Sequence, residues 1–459
     1  MKKFLYCVIV LCASMVYAAE SESAAADIAQ TEEARRLDTI RYGTEAEIAA
    51  LIQTLKSETN ADIGGVLDDA LIAVTQNTRN QNILSGVLSF FGDRGKQGLE
   101  ERAVRAIEER EEEANATVLA ALDYLGKIKA ASAIPTLKAI LDTNEARFIN
   151  SAIRAMGRAA SDGGAAGDDA TEYLLDYYEY RNPTDESRRE IIVAMGATGS
   201  KTALPVLIGI AENDSESAAV RMAALDTLAK LKDDSALDAI LSATSASNTN
   251  VRASAIAALG PFSGVQVEDA ILEGFRDSYY RTRIGAAKAA GERKLVSAVP
   301  YLRFRAERDD VATVKDEAIR ALGAIGNSEA TDVLKGFFLN RKAAERIRLL
   351  SAEMLIKNDA DAYVEQLITE LEEANKSHYT SLYNGFLRVL STAKTPKVEE
   401  ITRRFLGSGG VLEKSYALDL AANNSFTSLV EPIRVVASDT RNSGLSRKAQ
   451  TTLTKLGLE

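Results

Sequence analysis

The stretch Asn250–Gly260 reads NVRASAIAALG, and looser copies of the same phrase recur along most of the chain. Each copy ends at a small or apolar residue that returns every 31 to 39 residues. Self-similarity at such a period is the sequence signature of a repeat protein, in which each unit packs mainly on its neighbours. The clearest copies end at Gly126, Gly157, Gly196, Ala229, Gly260, Gly291, Gly323 and Ile356.

Each copy predicts an amphipathic helix. In the opening stretch, four apolar residues stand at i, i+4, i+7 and i+8, and this spacing places them on one helical face. A face of this kind must be buried against another element of the fold. The four residues are Val251, Ala255, Ala258 and Leu259.

A second amphipathic segment precedes each copy, and in three repeats it carries a proline at a matching place. Proline fits the first turn of a helix, where the N–H that it lacks would have no partner within the helix. Each repeat is therefore predicted to be a pair of helices joined by a short turn. The three prolines are Pro135, Pro205 and Pro300.

Two helices per repeat, in roughly ten to twelve repeats, cannot enclose one round core, so each pair must bury its apolar face on its neighbours. We predict an all-α fold, an α-solenoid in which antiparallel helix pairs stack into a superhelix. This pattern resembles the HEAT-repeat family, in particular the short HEAT-like repeats of bacterial proteins. The resemblance implies that the second helix of each pair lines the concave side of the stack.

The first residues have the pattern of a secretory signal. Two lysines precede the apolar run Phe4–Val16, and Ala18 offers a small residue at the cleavage position. The run is too short to span a bilayer, and we predict a signal peptide over residues 1–18. We therefore expect an exported protein, periplasmic in the first instance, with a secreted or surface location as the alternatives. No later apolar segment approaches transmembrane length.

The composition after the signal excludes several kinds of partner and site. Both cysteines, Cys7 and Cys12, lie inside the signal, so the exported chain would have no disulfide, thiolate metal ligand or cysteine nucleophile. Loss of the two lysines of the signal takes the formal net charge from −11 to −13. An acidic chain of this kind lacks the basic footprint of a nucleic-acid binder.

Catalytic and cofactor motifs are not found. The single histidine, His378, leaves no cluster of the kind that holds a transition metal. No phosphate-binding loop, dinucleotide fingerprint or nucleophile elbow occurs. The sequence therefore predicts no enzyme activity and no cofactor.

The remaining chain is predicted to be a short leader followed by one repeat domain. The acidic residues 19–43 suit a flexible leader, and the repeats are assigned to residues 44–459. One step between copies, from Gly157 to Gly196, is longer than the others. We attribute it to a glycine-rich loop at residues 161–170, which read SDGGAAGDDA.

A basic residue recurs eight positions before the end of six successive copies. One interpretation is a stripe that binds anions or an acidic partner. The other is a structural ladder, in which each basic residue pairs with carboxylates at the turns between helices. The planar donor fork of arginine suits partly buried pairing, and the resemblance favours the ladder, because HEAT repeats carry a basic residue here and an aspartate near the turn. The six residues are Arg188, Arg221, Arg252, Arg283, Lys315 and Arg348.

Tyr279, Tyr280 and Arg281 form the candidate binding segment. They are predicted to lie at a turn between helices near the middle of the chain. Tyrosine and arginine dominate the energetics of protein interfaces, so the segment is a candidate for recognising a protein partner. The alternative is that both rings merely cover the contact between two repeats.

These features predict an exported, non-enzymatic scaffold that binds another protein through a curved helical surface. Two alternatives from other classes stay open. One is a carbohydrate or cell-wall binding protein, for which tyrosines and carboxylates would suffice. The other is a lyase-like accessory enzyme of the kind found among some HEAT-like proteins.

Overall fold

The computed structural model describes residues 32–58, 65–439 and 441–457. Within these ranges every regular element is a helix and no strand occurs, which confirms the predicted all-α solenoid class. The helices follow one another with short turns between them, and we call the odd-numbered member of each pair the first helix and the even-numbered member the second. The predicted signal peptide, residues 1–18, lies outside the described residues.

The chain divides into two compact units, of which the first covers residues 1–251. The helix α14 begins in this unit and ends in the next. The helices are α1 (32–42), α2 (Glu45–Ser57), α3 (Gly65–Asn77), α4 (Gln81–Asp93), α5 (Glu100–Glu108), α6 (Asn115–Lys127), α7 (Ile134–Asp142), α8 (Ile149–Ala159), α9 (Gly164–Tyr180), α10 (Asp185–Thr198), α11 (Leu204–Glu212), α12 (Ala218–Leu231), α13 (Leu237–Ala243) and α14 (Thr249–Ala258).

The second unit covers residues 252–459 and is built in the same way. Its helices are α15 (Val265–Gly274), α16 (Tyr280–Glu292), α17 (Val299–Arg308), α18 (Ala312–Ile325), α19 (Ser328–Leu339), α20 (Glu345–Asn358), α21 (Ala360–Lys376), α22 (Thr380–Leu390), α23 (Glu399–Ser408), α24 (Val411–Asn423), α25 (Val430–Ala437) and α26 (Ser443–Lys455).

Successive second helices pack against one another within each unit. In the first unit α4, α6, α8, α10 and α12 form such a row, and in the second unit α16, α18 and α20 do. Most first helices pack mainly on the second helix of their own pair. The apolar face predicted for α14, which includes Val251, Ala255 and Leu259, is buried as expected. The core is therefore a seam that follows the row of second helices.

Three of the glycines that end the sequence copies, Gly126, Gly157 and Gly291, lie where the backbones of successive second helices approach closely. A Cβ atom added to Gly157 of α8 would lie 2.7 Å from the Cα atom of Ala194 in α10. The same addition to Gly291 of α16 would lie 3.1 Å from the Cα atom of Ala321 in α18. Backbones at this separation leave no room for a side chain, so these copies end in glycine because the backbone of the next helix touches it there.

The prolines mark the start of the first helices, as predicted. Pro135, Pro205 and Pro300 lie in the first turn of α7, α11 and α17. A single 3-10 turn precedes each of these helices, and its last residue is a buried alanine. The small side chain lets the chain pass close to the core before the helix begins.

Part of the segment assigned to a flexible leader, residues 19–43, is helical. Residues 32–42 form α1, in which Ile40 is buried. The Arg36 guanidinium pairs with an acidic side chain one helical turn earlier at 2.7 Å and with Glu58, beyond the end of α2, at 2.8 Å. Opposite charges at this spacing and a buried apolar residue hold the segment as a helix.

The glycine-rich loop predicted at residues 161–170 is much shorter than expected. The helix α9 begins at Gly164, directly after Gly163, whose φ of 76° suits glycine. The extra residues of this repeat lengthen the helix to 17 residues, against 9 in α7. Thr171 of α9 and Thr198 of α10 share a buried hydroxyl hydrogen bond of 2.7 Å, which ties the added turns to the core. The prediction of a loop was therefore wrong for most of its length.

We expect Gly157→Ala to lower the thermal midpoint, because its methyl group would overlap the backbone of Ala194. Overpacking of this kind costs about 1–3 kcal/mol. The matched control is Gly209→Ala in α11, where an added Cβ meets no atom within 4 Å. This control should stabilise the protein by up to about 1 kcal/mol, because alanine favours helix. Thermal unfolding followed by circular dichroism measures both, and equal effects would contradict the role given to Gly157.

Candidate functional site

Each of the six predicted basic residues, which together we call the basic column, is the fourth residue of a second helix. The most buried pairing belongs to Arg283 of α16. Its guanidinium donates to both carboxylate oxygens of Asp309, in the turn of the next repeat, at 2.7 and 2.9 Å. It also donates to the backbone carbonyl oxygens of Asp277 and Ser278 in its own turn, at 3.1 and 3.0 Å. Arg283 thereby bridges two successive turns between helices.

Arg252 of α14 makes the same connection one repeat earlier. Its Nε and Nη2 atoms donate to the two carboxylate oxygens of Asp277 at 3.0 and 3.3 Å. The Asp277 carboxylate also accepts the backbone N–H of Tyr279 at 2.7 Å. Asp277 thus orders its own turn and receives the arginine of the preceding repeat.

The two arginines of the column in the first unit pair in different directions. Arg221 donates to the carbonyl oxygen of Ala211, at the end of its own first helix, at 3.0 Å and pairs with Asp214 in its own turn at 2.5 Å. Arg188 instead pairs with Glu216 in the turn of the next repeat. Both guanidinium groups thus form hydrogen bonds or ion pairs with acceptors at the turns between helices.

The last two members of the column differ from each other. Arg348 of α20 is buried, donates to the carbonyl oxygen of Phe338 at 3.0 Å and pairs with Glu370 of the next repeat at 2.7 Å. Lys315 of α18 is half-buried, and its ammonium group forms no ion pair with any residue that the structure describes. Five of the six predicted residues therefore have an internal carboxylate partner.

Two carboxyl groups that pair with arginines of the basic column have a pKa below the ordinary value of aspartate. Burial alone would raise the pKa of Asp309, but the hydrogen bonds from Arg283 and from a backbone N–H outweigh it and lower the pKa. The same balance, with Arg252 as the donor, lowers the pKa of Asp277. A carboxyl group whose pKa is lower in the folded than in the unfolded chain stabilises the fold above its ordinary pKa. This stabilisation is lost as the pH falls through the folded-state value.

The predicted binding segment lies at the start of α16. Tyr279 and Tyr280 are half-buried, and their rings meet edge to face with centroids 5.3 Å apart. Arg281 is exposed, and its Nε atom donates to the Tyr280 hydroxyl at 3.2 Å. The three side chains thus form one cluster, held by a ring contact and a hydrogen bond.

The structure adds three residues that sequence reasoning missed. Arg276, in the turn before α16, donates to the hydroxyl of Tyr301 in α17 at 3.3 Å, and the Tyr301 ring stacks on Phe275 with centroids 5.7 Å apart. Phe304, one helical turn further along α17, is 54% exposed. We call the combined set the aromatic–arginine surface. It consists of Arg276, Tyr279, Tyr280, Arg281, Tyr301 and Phe304.

Two further properties concern the described part of the chain only. None of its helices combines the length and the apolar character that crossing a membrane requires. No group of three or more histidine, cysteine, aspartate or glutamate side chains in it could hold a metal ion. His378 lies in the turn between α21 and α22 with a positive φ of 54°.

Helix pairs that stack through their second helices, with a basic residue at the fourth position and carboxylates at the turns, define a HEAT-repeat α-solenoid. The family described as spirochaete HEAT repeat protein matches residues 40–452, and the chain belongs to this family. Proteins with this fold typically act as protein-interaction scaffolds and are usually not enzymes. No curated protein matches the chain significantly.

Solved structures with a similar fold include nuclear transport receptors. Yeast importin-β (Kap95p) aligns with a TM-score of 0.53 and 11% identity over 92% of this chain and 67% of that one. Kap121p aligns with a TM-score of 0.44 and 10% identity over 92% of this chain and 53% of that one. Human deoxyhypusine hydroxylase aligns with a TM-score of 0.25 and 18% identity over 59% of this chain and 99% of that one. The chain thus spans about half the length of Kap121p.

We expect Arg252→Ala to lower the thermal midpoint, because it leaves the partly buried carboxylate of Asp277 without its main partner. Losses of this kind cost about 1–3 kcal/mol. The matched control is Lys315→Ala, which removes the equivalent side chain where no ion pair exists within the described residues. A loss of stability as large for Lys315→Ala as for Arg252→Ala would contradict the ladder.

We expect the stabilising effect of Asp309 to depend on pH. Asp309→Asn should lower the thermal midpoint most at neutral pH, where the native carboxylate is charged. The difference from the unsubstituted protein should shrink as the pH falls below about 3.9, the ordinary pKa of aspartate. Asp310→Asn is the control. Asp310 also lies near Arg283, at 3.4 Å, but its side chain is 90% exposed, so its charge should contribute little to stability. A constant difference between pH 7 and pH 3 would contradict the assignment.

Proposed function

We propose that this protein is an exported, non-enzymatic scaffold that binds another protein through the surface of its helical repeats. The aromatic–arginine surface carries the proposal. It places one exposed ring, three half-buried rings and two exposed guanidinium groups on the second unit, on a fold that typically serves protein interaction. The secretory pattern over residues 1–18 supports export, and the acidic net charge of −11 favours a protein over a nucleic acid as the partner.

The side chains of this surface have the properties of an interface anchor. Aromatic rings provide a large contact area with few rotatable bonds, and the tyrosine hydroxyls and guanidinium groups give directional hydrogen bonds. The Arg281 guanidinium forms no ion pair with the described residues, so its remaining donors can meet a partner. The edge-to-face contact of Tyr279 and Tyr280 orders both rings before binding. Such pre-ordering lowers the entropy lost on association.

The proposal predicts that Tyr280→Ser weakens partner capture at an unchanged thermal midpoint. The chain without its predicted signal is immobilised and used to capture proteins from the native envelope fraction. Loss of a ring at the centre of an interface costs about 2 kcal/mol or more, which is over tenfold in Kd. Phe304→Ser should act in the same direction.

The control is Tyr180→Ser in the first unit, because Tyr180 is 73% exposed and lies outside the aromatic–arginine surface. Its capture should equal that of the unsubstituted chain. A lower thermal midpoint with unaltered capture for Tyr280→Ser would assign the two rings to the contact between repeats. Binding to a glycan array with no protein captured would favour the carbohydrate-binding alternative instead.

A further inference from the structure

The ladder has a gap at one turn of the second unit. Asp277 follows Arg252 by 25 residues, and Asp309 follows Arg283 by 26. The residue that follows Lys315 by 25 positions is Asn340. The turn after α19 therefore holds a neutral amide where the two preceding turns hold a carboxylate.

The backbone confirms that these three turns correspond. In each of them the side-chain oxygen accepts the N–H of the residue two positions later. The distances are 2.7 Å at Asp277, 3.0 Å at Asp309 and 3.0 Å at Asn340. The local geometry is thus retained at Asn340, and only the charge is missing.

Nearby carboxylates do not fill the gap, because other arginines engage them. Asp316, the next residue after Lys315, accepts both donors of the Arg346 fork. Glu370 pairs with Arg348 at 2.7 Å. Lys315 is consequently left without an acidic partner among the residues that the structure describes.

Lys315 and Asn340 line one cleft of about 1040 Å³ between α17 and α19. Arg308 and Lys342 line the cleft as well; both are exposed, and neither forms an ion pair with a described residue. Arg308 ends α17, Lys315 is the fourth residue of α18, and Lys342 lies in the turn after α19. Glu307 lines the cleft beside Arg308 and pairs with Arg303 at 3.1 Å. The three cations at this end of the cleft therefore outnumber its one carboxylate, and none of the three forms an ion pair with a described residue.

The rest of the cleft defines what can occupy it. Val333, Phe337 and Ile347 give part of its wall an apolar character. Glu329 and Asp332, near the start of α19, make its far end acidic. A small anion would use only the positive end. An extended segment with one carboxylate beside apolar side chains would use both the positive end and the apolar wall.

We propose that this cleft binds an acidic peptide segment of a protein partner, whose carboxylate pairs with Lys315 beside the Asn340 amide and so supplies the charge that Asp277 and Asp309 supply in the preceding turns. The inference rests on the proposed scaffold function and names the chemistry of the partner. A carboxylate at this place gains a charge-assisted hydrogen bond.

Fluorescence anisotropy with the purified chain tests the proposal. The probe is a short fluorescein-labelled peptide of glutamate, leucine and serine, and the matched peptide carries glutamine in place of every glutamate. The unsubstituted chain should bind the first peptide and not the second. Lys315→Gln should weaken binding about tenfold, the effect of losing one hydrogen bond between charged groups.

Asn340→Asp is the decisive variant. It supplies the missing carboxylate from within the chain, so it should raise the thermal midpoint and weaken peptide binding at least as much as Lys315→Gln. The control is Lys357→Gln, an exposed lysine of α20 outside the cleft, which should leave the affinity unchanged. Unaltered binding by Lys315→Gln and Asn340→Asp would overturn the proposal. Full displacement by inorganic phosphate, but not by sodium chloride of equal ionic strength, would overturn it in favour of a small-anion site.

This experiment separates the two proposals from each other. If the unsubstituted chain captures an envelope protein but ignores the acidic peptide, the cleft is wrong and the scaffold function stands. If it binds the peptide through Lys315 but captures no protein, the scaffold function is wrong.

Discussion

The close contact between successive second helices is the constraint on which the other features of each unit depend. Glycine at the end of one helix lets the next helix approach until backbone meets backbone, as between Gly157 and Ala194. Helices held at this distance keep the same stagger from repeat to repeat. The fourth residue of each second helix consequently lies near a turn between helices, and Arg252 and Arg283 find an aspartate there. Close packing thus brings each arginine within reach of a turn aspartate. The resulting ion pairs hold the turns whose other side chains face solvent.

Much of the fold follows from the sequence because its determinants are local and repeated. The period, the apolar face that includes Val251 and the prolines at helix starts each occur several times, so chance resemblance at one copy does not matter. The predictions that failed concerned segments that occur once. The helix at residues 32–42 depends on an ion pair with Glu58, and the length of α9 depends on a hydroxyl contact with Thr198. Neither contact has a sequence signature, because both join segments that are distant along the chain.

The candidate sites were predictable to different degrees. The positions of the basic column follow from spacing, but the direction in which each residue pairs does not. Arg221 finds its carboxylate in its own turn and Arg252 finds one in the next, since acids stand within reach on either side. Tyr301 and Phe304 were missed because α17 mixes aromatic, aliphatic and arginine residues, and the sequence alone does not show which of its rings pack into the core. Their exposure can be inferred only when the structure shows that Leu302 and the other buried residues of α17 lie on the opposite face of the helix.

The links between neighbouring repeats have a consequence for how such a chain grows by duplication. A segment one period long carries one arginine of the column and one turn aspartate, as Asp277 and Arg283 show. When such a segment is copied in tandem, the new aspartate receives the arginine before it and the new arginine reaches the aspartate after it. The array of repeats can lengthen at that point without leaving an arginine or an aspartate of the ladder unpaired. A copy of the segment from Asp309 to Asn340 would instead add another lysine, at the position of Lys315, with no acid at the turn that follows it. Which repeat is copied therefore decides whether the chain gains only length or also a new place for a partner.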